Sequence, residues 1–200
     1  MFILLLGNEL WWRKKRVHGE LSRKFIHITV GSFVAFWPFF LDWDQIKLLS
    51  IAFVLVVLVS KQLKVFRSIH SVGRPTWGEI FFAVAVGAIA LLTEDKWIYM
   101  AAILQMSLAD GLAAIIGTHY GKSNSYKVFG HVKSLYGTAI FFVTSLLILL
   151  GYIYFSGAEL ELLALIGLAA AASVIENVGV EGTDNLLVPV LVAYVLTVLI

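Results

Sequence analysis

The sequence lacks cysteine altogether and has few charged residues, and both shortages narrow the class of protein. Without cysteine, the chain forms no disulfides and offers no thiolate for catalysis or metal binding. Asp, Glu, Lys and Arg supply only 14% of its 200 residues, whereas soluble domains have about 25%. Hydrophobic residues supply 60% and are collected in long uncharged runs. These features exclude an ordinary soluble domain and predict an integral membrane protein.

Seven apolar runs approach the length of a membrane-spanning helix, which is about 20 residues. The runs are continuous rather than alternating, and a continuous run satisfies its backbone in lipid as a helix. We therefore predict an all-α, polytopic membrane protein with about seven transmembrane helices. The runs lie at roughly 25–41, 47–63, 76–92, 97–117, 135–155, 160–176 and 185–200.

The N-terminal stretch MFILLLGNELWW precedes these runs and is too short to span a bilayer. Trp11 and Trp12 are residues typical of the membrane interface, and basic residues follow them. We predict a short interfacial helix and a basic segment within 1–24, followed by a transmembrane bundle over 25–200. Residues 1–200 are thus expected to form a single membrane-embedded domain.

Basic residues concentrate in alternate connections between the runs. Segments 13–24, 61–74 and 118–134 hold six, four and three of the 15 Lys and Arg residues. By the positive-inside rule, these segments face the cytoplasm. Segment 177–184 is expected on the same side, yet it is acidic. The connections expected on the outer side carry the acids Asp42, Asp44, Glu94, Asp95, Glu159 and Glu161.

Four ionisable residues lie within the apolar runs or at their ends: His27, Glu79, Asp110 and Glu176. All four fall in the cytoplasmic halves of their predicted helices. An ionisable group in a membrane span costs about 3 kcal/mol or more and commonly marks a functional site. We therefore predict a site that opens to the cytoplasm and is partly sunk in the bilayer. The alternatives are an aspartate buried for helix packing and a histidine that is only a satisfied interfacial group.

Small residues share a helix face with Asp110. Ala114 and Gly117 follow it at i+4 and i+7 and therefore lie on the same side of the helix. Small side chains on that face leave a groove beside the acid. The groove is expected to admit either another helix or a ligand.

The connection before the fifth run reads KVFGHVKSLYGT, with Lys133 and Ser134 between Gly130 and Gly137. Glycines expose backbone amides and lysine supplies a cation, which are the materials of a phosphate cradle. A helix that begins near Ser134 would also present its N-terminal amides to an anion. The pattern is not the P-loop of soluble nucleotide-binding enzymes. By composition alone, ordinary topology charge is the better explanation of Lys127 and Lys133.

Three carboxylates lie close together near the C-terminus, at Glu176, Glu181 and Asp184. Thr183 or Asp184 can cap the seventh helix, which explains one acid but not three. Oxygen ligands for Mg²⁺, or partners for the basic segments, would explain the group.

Acids, cations and a glycine-flanked Lys-Ser together suit phosphoryl transfer. The membrane setting indicates a lipid alcohol as acceptor and an aqueous nucleotide as donor.

From about residue 20 to 190, the chain resembles the dolichol kinase and phytol kinase family in five short motifs that follow in the same order. The motifs are ELSRKFIH (20–27), PTWGE (75–79), LADGLAAIIGTHYGK (108–122), G-x-x-KSLYGT (130–138) and VIENVGVEGTDNLLVP (174–189). The resemblance implies transfer of a phosphate from CTP to a lipid alcohol, with Mg²⁺ or another divalent cation. The acceptor would be phytol, geranylgeraniol, a polyprenol or dolichol, or diacylglycerol. The short chain resembles a compact prokaryotic form, located in the cytoplasmic membrane.

The same resemblance implies functional residues. Asp110, Glu176 and Asp184 would bind the metal, and Asp110, His27 and Lys133 would be catalytic, with the base open between Asp110 and His27. The family often has an acid where this chain has Tyr136, so no acid is assigned at that step. Glu79 is a further matched position. The nucleotide and its phosphates would contact Arg23, Lys24, Gly117, Gly121, Lys122, Gly130, Lys133, Ser134, Gly137, Thr138 and Asn185.

Two other functions fit parts of this pattern. A cytidylyltransferase would use CTP and a phosphorylated lipid to make a CDP-lipid and pyrophosphate. A small transporter would need polar residues through both halves of the membrane, and the outer halves of the runs are almost free of ionisable groups. The expected partners are membrane lipids, a lipid alcohol and CTP. No nucleic-acid partner is expected, and the oligomeric state is open.

Overall fold

The structure is a computed structural model that describes residues 20–63 and 77–200. The predicted interfacial helix and most of the basic segment 61–74 lie outside the described residues. Residues 20–24, which the sequence assigned to the N-terminal segment, belong to the first helix. The described residues are mostly helical.

Seven helical rods run through the described residues, close to the seven predicted runs. They are α1 (Glu20–Ala35), α2 (Trp43–Leu63), α3 (Gly78–Leu92), a long rod made of α4 (Lys96–Leu104), a π-helical segment (Gln105–Ala109) and α5 (Asp110–Tyr120), then α6 (Leu135–Ser156), α7 (Leu162–Val178) and α8 (Asp184–Leu199). The prediction of helices is therefore confirmed. The first of them begins earlier than predicted, and a 3-10 turn at Trp37–Phe39 follows it.

Two of the rods are long and apolar enough to cross a membrane. They run over Lys96–Asn124, with 29 residues, and Leu135–Ser156, with 22. Helices α3, α7 and α8 are also apolar but shorter. By length and composition, the two long rods suit a membrane protein, and the crossing of the membrane by all seven rods stays a prediction.

The interior of the bundle is rich in small residues, whereas its outer faces carry large apolar ones. Ala85, Ala102 and Ala169 are fully buried, while Leu91 and Leu163 are largely exposed. Buried alanines let helix backbones approach closely, which is how helices commonly associate in lipid. A large exposed apolar surface is unusual for a soluble monomer. This distribution suits a bundle whose outer faces contact lipid, and that contact stays a prediction.

The connection between α5 and α6 contains a β-hairpin, which corrects the all-α prediction. Strands β1 (Ser125–Val128) and β2 (His131–Ser134) pair antiparallel. Phe129 and Gly130 join them with φ of +47° and +83°, the two-residue turn whose twist matches paired strands. Each strand has only four residues, too few to show the alternation by which sequence patterns reveal a strand.

The long rod changes its hydrogen-bond register immediately before Asp110. The segment Gln105–Ala109 is π-helical, a rare form that is frequent at functional sites. The backbone carbonyl of Met106, within this segment, lies 3.0 Å from Nε2 of His27 on α1. The π-helical segment thus ties α1 to the rod next to Asp110.

Candidate active site

Three carboxylates meet where three helices begin or end on the same side of the bundle. Asp110 begins α5, Glu176 lies in the last turn of α7, and Asp184 begins α8. One carboxylate oxygen from each residue lies within 4.8 Å of the other two. Asp110 and Glu176 are buried. The structure thus brings together the three residues that the sequence indicated as metal ligands; we call them the carboxylate cluster.

The carboxylate cluster has the donor set that a hard divalent cation prefers, because all of its ligand atoms are oxygens. Asp184 begins α8 beside the buried carboxylates of Asp110 and Glu176. Gathering such groups away from water costs free energy unless a positive charge compensates them. The residues present therefore fit a divalent metal.

Two lysines provide positive charge beside the carboxylate cluster. Nζ of Lys24, on α1, lies 2.5 Å from Oδ2 of Asp110. Nζ of Lys133, on β2, lies 2.5 Å from Oε1 of Glu176 and donates to the backbone carbonyl of the same residue at 2.8 Å. Both side chains are mostly buried, with 13% and 20% exposed. Each ammonium group neutralises one carboxylate and has a flexible stem that can turn toward an anion.

His27 faces Asp110 from α1 but is held by a backbone carbonyl. Its Nε2 lies 3.8 Å from Oδ2 of Asp110 and 3.0 Å from the oxygen of Met106. Because a carbonyl oxygen can only accept, Nε2 carries the hydrogen of that bond. The imidazole edge also packs on the ring of Phe82, with the centroids 5.2 Å apart. In this arrangement Nε2 is a hydrogen-bond donor and is not placed to receive a proton.

Ser134 fixes the start of α6 against α5. Its hydroxyl accepts a hydrogen bond from the backbone N–H of Gly137 at 3.1 Å, as a helix N-cap does. A Cβ atom on Gly117 would lie only 2.9 Å from that hydroxyl, and a Cβ on Gly121 would overlap the Ser134 side chain. These glycines therefore permit close packing of α5, the hairpin and α6, whether or not they also contact a phosphate.

The chain is similar along almost its whole length to a phytol kinase from Synechocystis sp. The two are 32% identical over 193 residues, an alignment that covers 93% of this chain and 82% of the relative. The chain belongs to the phytol kinase family. This finding confirms the resemblance that the five motifs indicated. No model of a protein family and no solved structure matches the chain.

In this member of the phytol kinase family, two residues predicted to bind nucleotide make contacts within the protein, and a third is explained by backbone conformation. The Asn185 side chain donates to the backbone carbonyl of Gly78 at 3.1 Å and so ties α8 to α3. The Thr138 hydroxyl lies 3.1 Å from the side-chain oxygen of Asn177. Gly130 is exposed in the hairpin turn, where its positive φ explains the glycine.

Several other candidates are not members of the carboxylate cluster of this phytol kinase relative. Lys122 is exposed, and Glu79 is half-buried in the first turn of α3. The side chain of Arg23 lies outside the described residues. Glu181 is exposed, so Asp110, and not Glu181, completes the cluster with Glu176 and Asp184. Thr183 makes no side-chain cap at the start of α8, because its hydroxyl bonds with the backbone of Val180 instead.

Two residues near the site were missed by sequence reasoning. The Tyr126 hydroxyl donates to the side-chain oxygen of Asn177 and lies 2.6 Å from the Thr138 hydroxyl. Tyr126 lies on β1 and Asn177 follows Glu176 on α7. Nothing in the sequence indicated their contact, because it depends on the hairpin and its register.

Proposed function

We propose that the protein is a membrane-embedded kinase that transfers the γ-phosphate of CTP to the hydroxyl of an isoprenoid alcohol. The observation that carries this proposal is the carboxylate cluster with two lysines at its edge, found in a chain of the phytol kinase family. The name of the relative supports phytol as an acceptor, and related alcohols such as geranylgeraniol or a polyprenol share its reacting group. CTP as the donor rests on the family resemblance.

The transfer forms one bond and breaks another at phosphorus. The alcohol oxygen attacks the γ-phosphorus, the bond from phosphorus to the β–γ bridging oxygen breaks, and CDP leaves. The alcohol gives up its proton to a base. Asp110, Glu176 and Asp184 would hold a divalent cation, which neutralises charge on the phosphates as they react. Besides holding the metal, the protein must supply cations that contact the phosphates, orient the two substrates and provide a proton acceptor.

Among the residues whose side chains the structure describes, Lys24 and Lys133 pair directly with carboxylates of this centre. In the structure they neutralise Asp110 and Glu176, and with nucleotide bound they would turn toward phosphate oxygens. Ser134 and the first amides of α6 lie beside Lys133 and offer further hydrogen bonds to an anion. These residues account for the phosphate-binding role proposed for the hairpin and the start of α6.

For the proton acceptor, the geometry favours Asp110 over His27. Nε2 of His27 already donates to the carbonyl of Met106, whereas Asp110 presents carboxylate oxygens to the cluster. His27 would then orient Asp110 and the π-helical segment. The sequence left this choice open, and the contact of Nε2 with Met106 supports Asp110.

We further propose that all seven rods cross the bilayer and that the carboxylate cluster faces the cytoplasm. The apolar outer faces and the two long rods support the crossing. The basic residues concentrated in alternate connections of the sequence support the orientation, through the positive-inside rule. A long-chain alcohol dissolved in the bilayer could then approach the cluster from the side, while CTP and Mg²⁺ arrive from water.

The test is product analysis with purified protein in lipid nanodiscs. The protein is incubated with Mg²⁺, radiolabelled CTP or ATP, and phytol, geranylgeraniol or diacylglycerol. The proposal expects CDP together with a phosphorylated alcohol, and faster turnover with CTP than with ATP. Pyrophosphate with a CDP-lipid would instead show a cytidylyltransferase. Absence of any phosphorylated lipid with every alcohol would contradict the kinase proposal.

A further inference from the structure

The hairpin presents Lys133 and Tyr126 side by side. The two residues are directly opposite each other in the strand register, and opposite residues of an antiparallel pair point to the same face. Both side chains reach the end of α7, where Lys133 bonds to Glu176 and Tyr126 bonds to Asn177. The hairpin is therefore attached to two consecutive residues of one helix.

The attachment through Tyr126 consists of three uncharged side chains, which we call the hydroxyl clamp: Tyr126, Thr138 and Asn177. The Tyr126 hydroxyl donates to Oδ1 of Asn177 and lies 2.6 Å from Oγ1 of Thr138. Oγ1 of Thr138 lies 3.1 Å from the same amide oxygen. The Asn177 amide nitrogen donates to the carbonyl of Ser173 at 2.9 Å, which turns its oxygen toward the two hydroxyls.

The two attachments differ in what happens when a nucleotide binds. Under the proposed function, Lys133 must leave Glu176 to contact a phosphate, so the charged attachment is lost at the moment when the hairpin is needed. The hydroxyl clamp contains no charged group and need not change partners. Since β1, α6 and α7 each supply one of its residues, it can hold the hairpin in place during the exchange.

We propose that Tyr126, Thr138 and Asn177 are positioning residues that keep the hairpin on α7 while Lys133 passes from Glu176 to a nucleotide phosphate. This proposal rests on the proposed function. It assigns Thr138 to holding the hairpin rather than to binding phosphate directly. It also gives a role to the tyrosine opposite the lysine, since its long side chain carries a hydroxyl from β1 to α7.

The kinetic test compares Tyr126→Phe with Tyr154→Phe. Both remove one hydroxyl, but Tyr154 is exposed at the far end of α6. Because each buried hydrogen bond is worth a factor of about 2 to 12 in equilibrium, the KM for CTP should rise about tenfold in Tyr126→Phe. The KM for the alcohol should stay within about twofold of wild type. Tyr154→Phe should change neither.

Variants of Thr138 separate positioning from a general loss of folding. Thr138→Ser keeps the hydroxyl and should restore a nearly normal KM for CTP, whereas Thr138→Val should behave as Tyr126→Phe does. A purely structural defect would lower the active fraction, and hence kcat, without moving the KM for CTP. The proposal is overturned if Tyr126→Phe and Thr138→Val lower kcat only or leave both constants unchanged.

Hydrogen exchange of segment 125–134 tests the hydroxyl clamp without any turnover. If the clamp holds the hairpin, Lys133→Met alone should leave most of its amide protection in place. The double variant Lys133→Met with Tyr126→Phe should exchange at least about tenfold faster than either single variant. If Lys133→Met alone removes the amide protection of segment 125–134, the ion pair and not the hydroxyl clamp holds the hairpin. That result would overturn the proposal for the hydroxyl clamp even if the kinase is active. A protected hairpin in an inactive protein would contradict the proposed function alone.

Discussion

The two ends of the helical bundle are held together by different chemistry. At the charged end, Lys24, Asp110, Lys133, Glu176 and Asp184 approach one another through ion pairs and carboxylate contacts. At the opposite end, aromatic rings pack together. Trp97 is the second residue of the long rod that carries Asp110. Its ring stacks on Phe155 with centroids 5.6 Å apart and meets Phe39 edge-on at 5.0 Å.

At the aromatic end, the start of α4 is stabilised by an ordinary helix N-cap. Asp95 caps α4 by accepting hydrogen bonds from the backbone N–H groups of Trp97 and Ile98, at 2.7 and 3.0 Å. The charged end instead gathers three neighbouring carboxylates, which repel one another although Lys24 pairs with Asp110 and Lys133 with Glu176. Such an arrangement does not optimise stability, and proteins commonly accept this cost at functional sites. The difference predicts that changes at the charged end reduce activity, whereas changes at the aromatic end reduce stability.

The largest effect is expected from Lys133→Met. The substitution keeps the apolar stem but removes the cation proposed to contact phosphate, so kcat/KM for CTP should fall about a hundredfold or more. The protein should still insert and fold, because the hydroxyl clamp and the helix contacts remain. Steady-state kinetics in nanodiscs measures the loss.

Lys127→Met is the matched control for this change. Lys127 lies on β1 of the same hairpin and is exposed, so its removal should alter kcat/KM by no more than about twofold at moderate salt. If Lys133→Met keeps near-normal turnover, or if both variants lose activity equally, Lys133 contributes only to membrane topology.

A smaller effect is expected from Asp95→Ala at the aromatic end. The lost N-cap should lower the free energy of unfolding by about 1 kcal/mol, seen as a lower midpoint in thermal denaturation of the detergent-solubilised protein. Kinetic constants of the folded protein should stay within about twofold of wild type. Glu94→Ala, at the exposed neighbouring acid, should change neither stability nor kinetics. An activity loss in Asp95→Ala as large as that in Lys133→Met would contradict the division between the two ends.

The helices and part of the charged end could be predicted from the sequence, because a lipid environment restricts which sequences form stable helices and where ionisable residues occur. Long apolar runs are stable in a bilayer as helices, and an ionisable residue such as Asp110 within one of them signals function. Asp110 and Glu176 were identified as candidates in this way, whereas the assignment of Asp184, Lys24 and Lys133 to the site rested on the family resemblance, and none of their distances could be predicted.

What the sequence did not indicate depends on local backbone geometry. The hairpin is too short to show a pattern, so the contact of Tyr126 with Asn177 could not be expected. Similarly, sequence patterns do not show π-helical register, and the donation from His27 to the carbonyl of Met106 lies within that segment. The turn before α8 leaves Glu181 exposed and gathers Asp184 with Asp110, and the sequence pattern alone did not show how that turn would place the two acids.

The central claim is that Asp110, Glu176 and Asp184 form a divalent-cation site, and direct metal binding tests it. Mn²⁺ can be titrated into the purified protein without nucleotide and followed by electron paramagnetic resonance. Relative to wild type, Asp110→Asn and Asp184→Asn should each weaken Mn²⁺ binding about tenfold or more, whereas Glu181→Gln should bind as wild type does. Unchanged Mn²⁺ affinity in both aspartate variants, or an equal loss in Glu181→Gln, would contradict the claim.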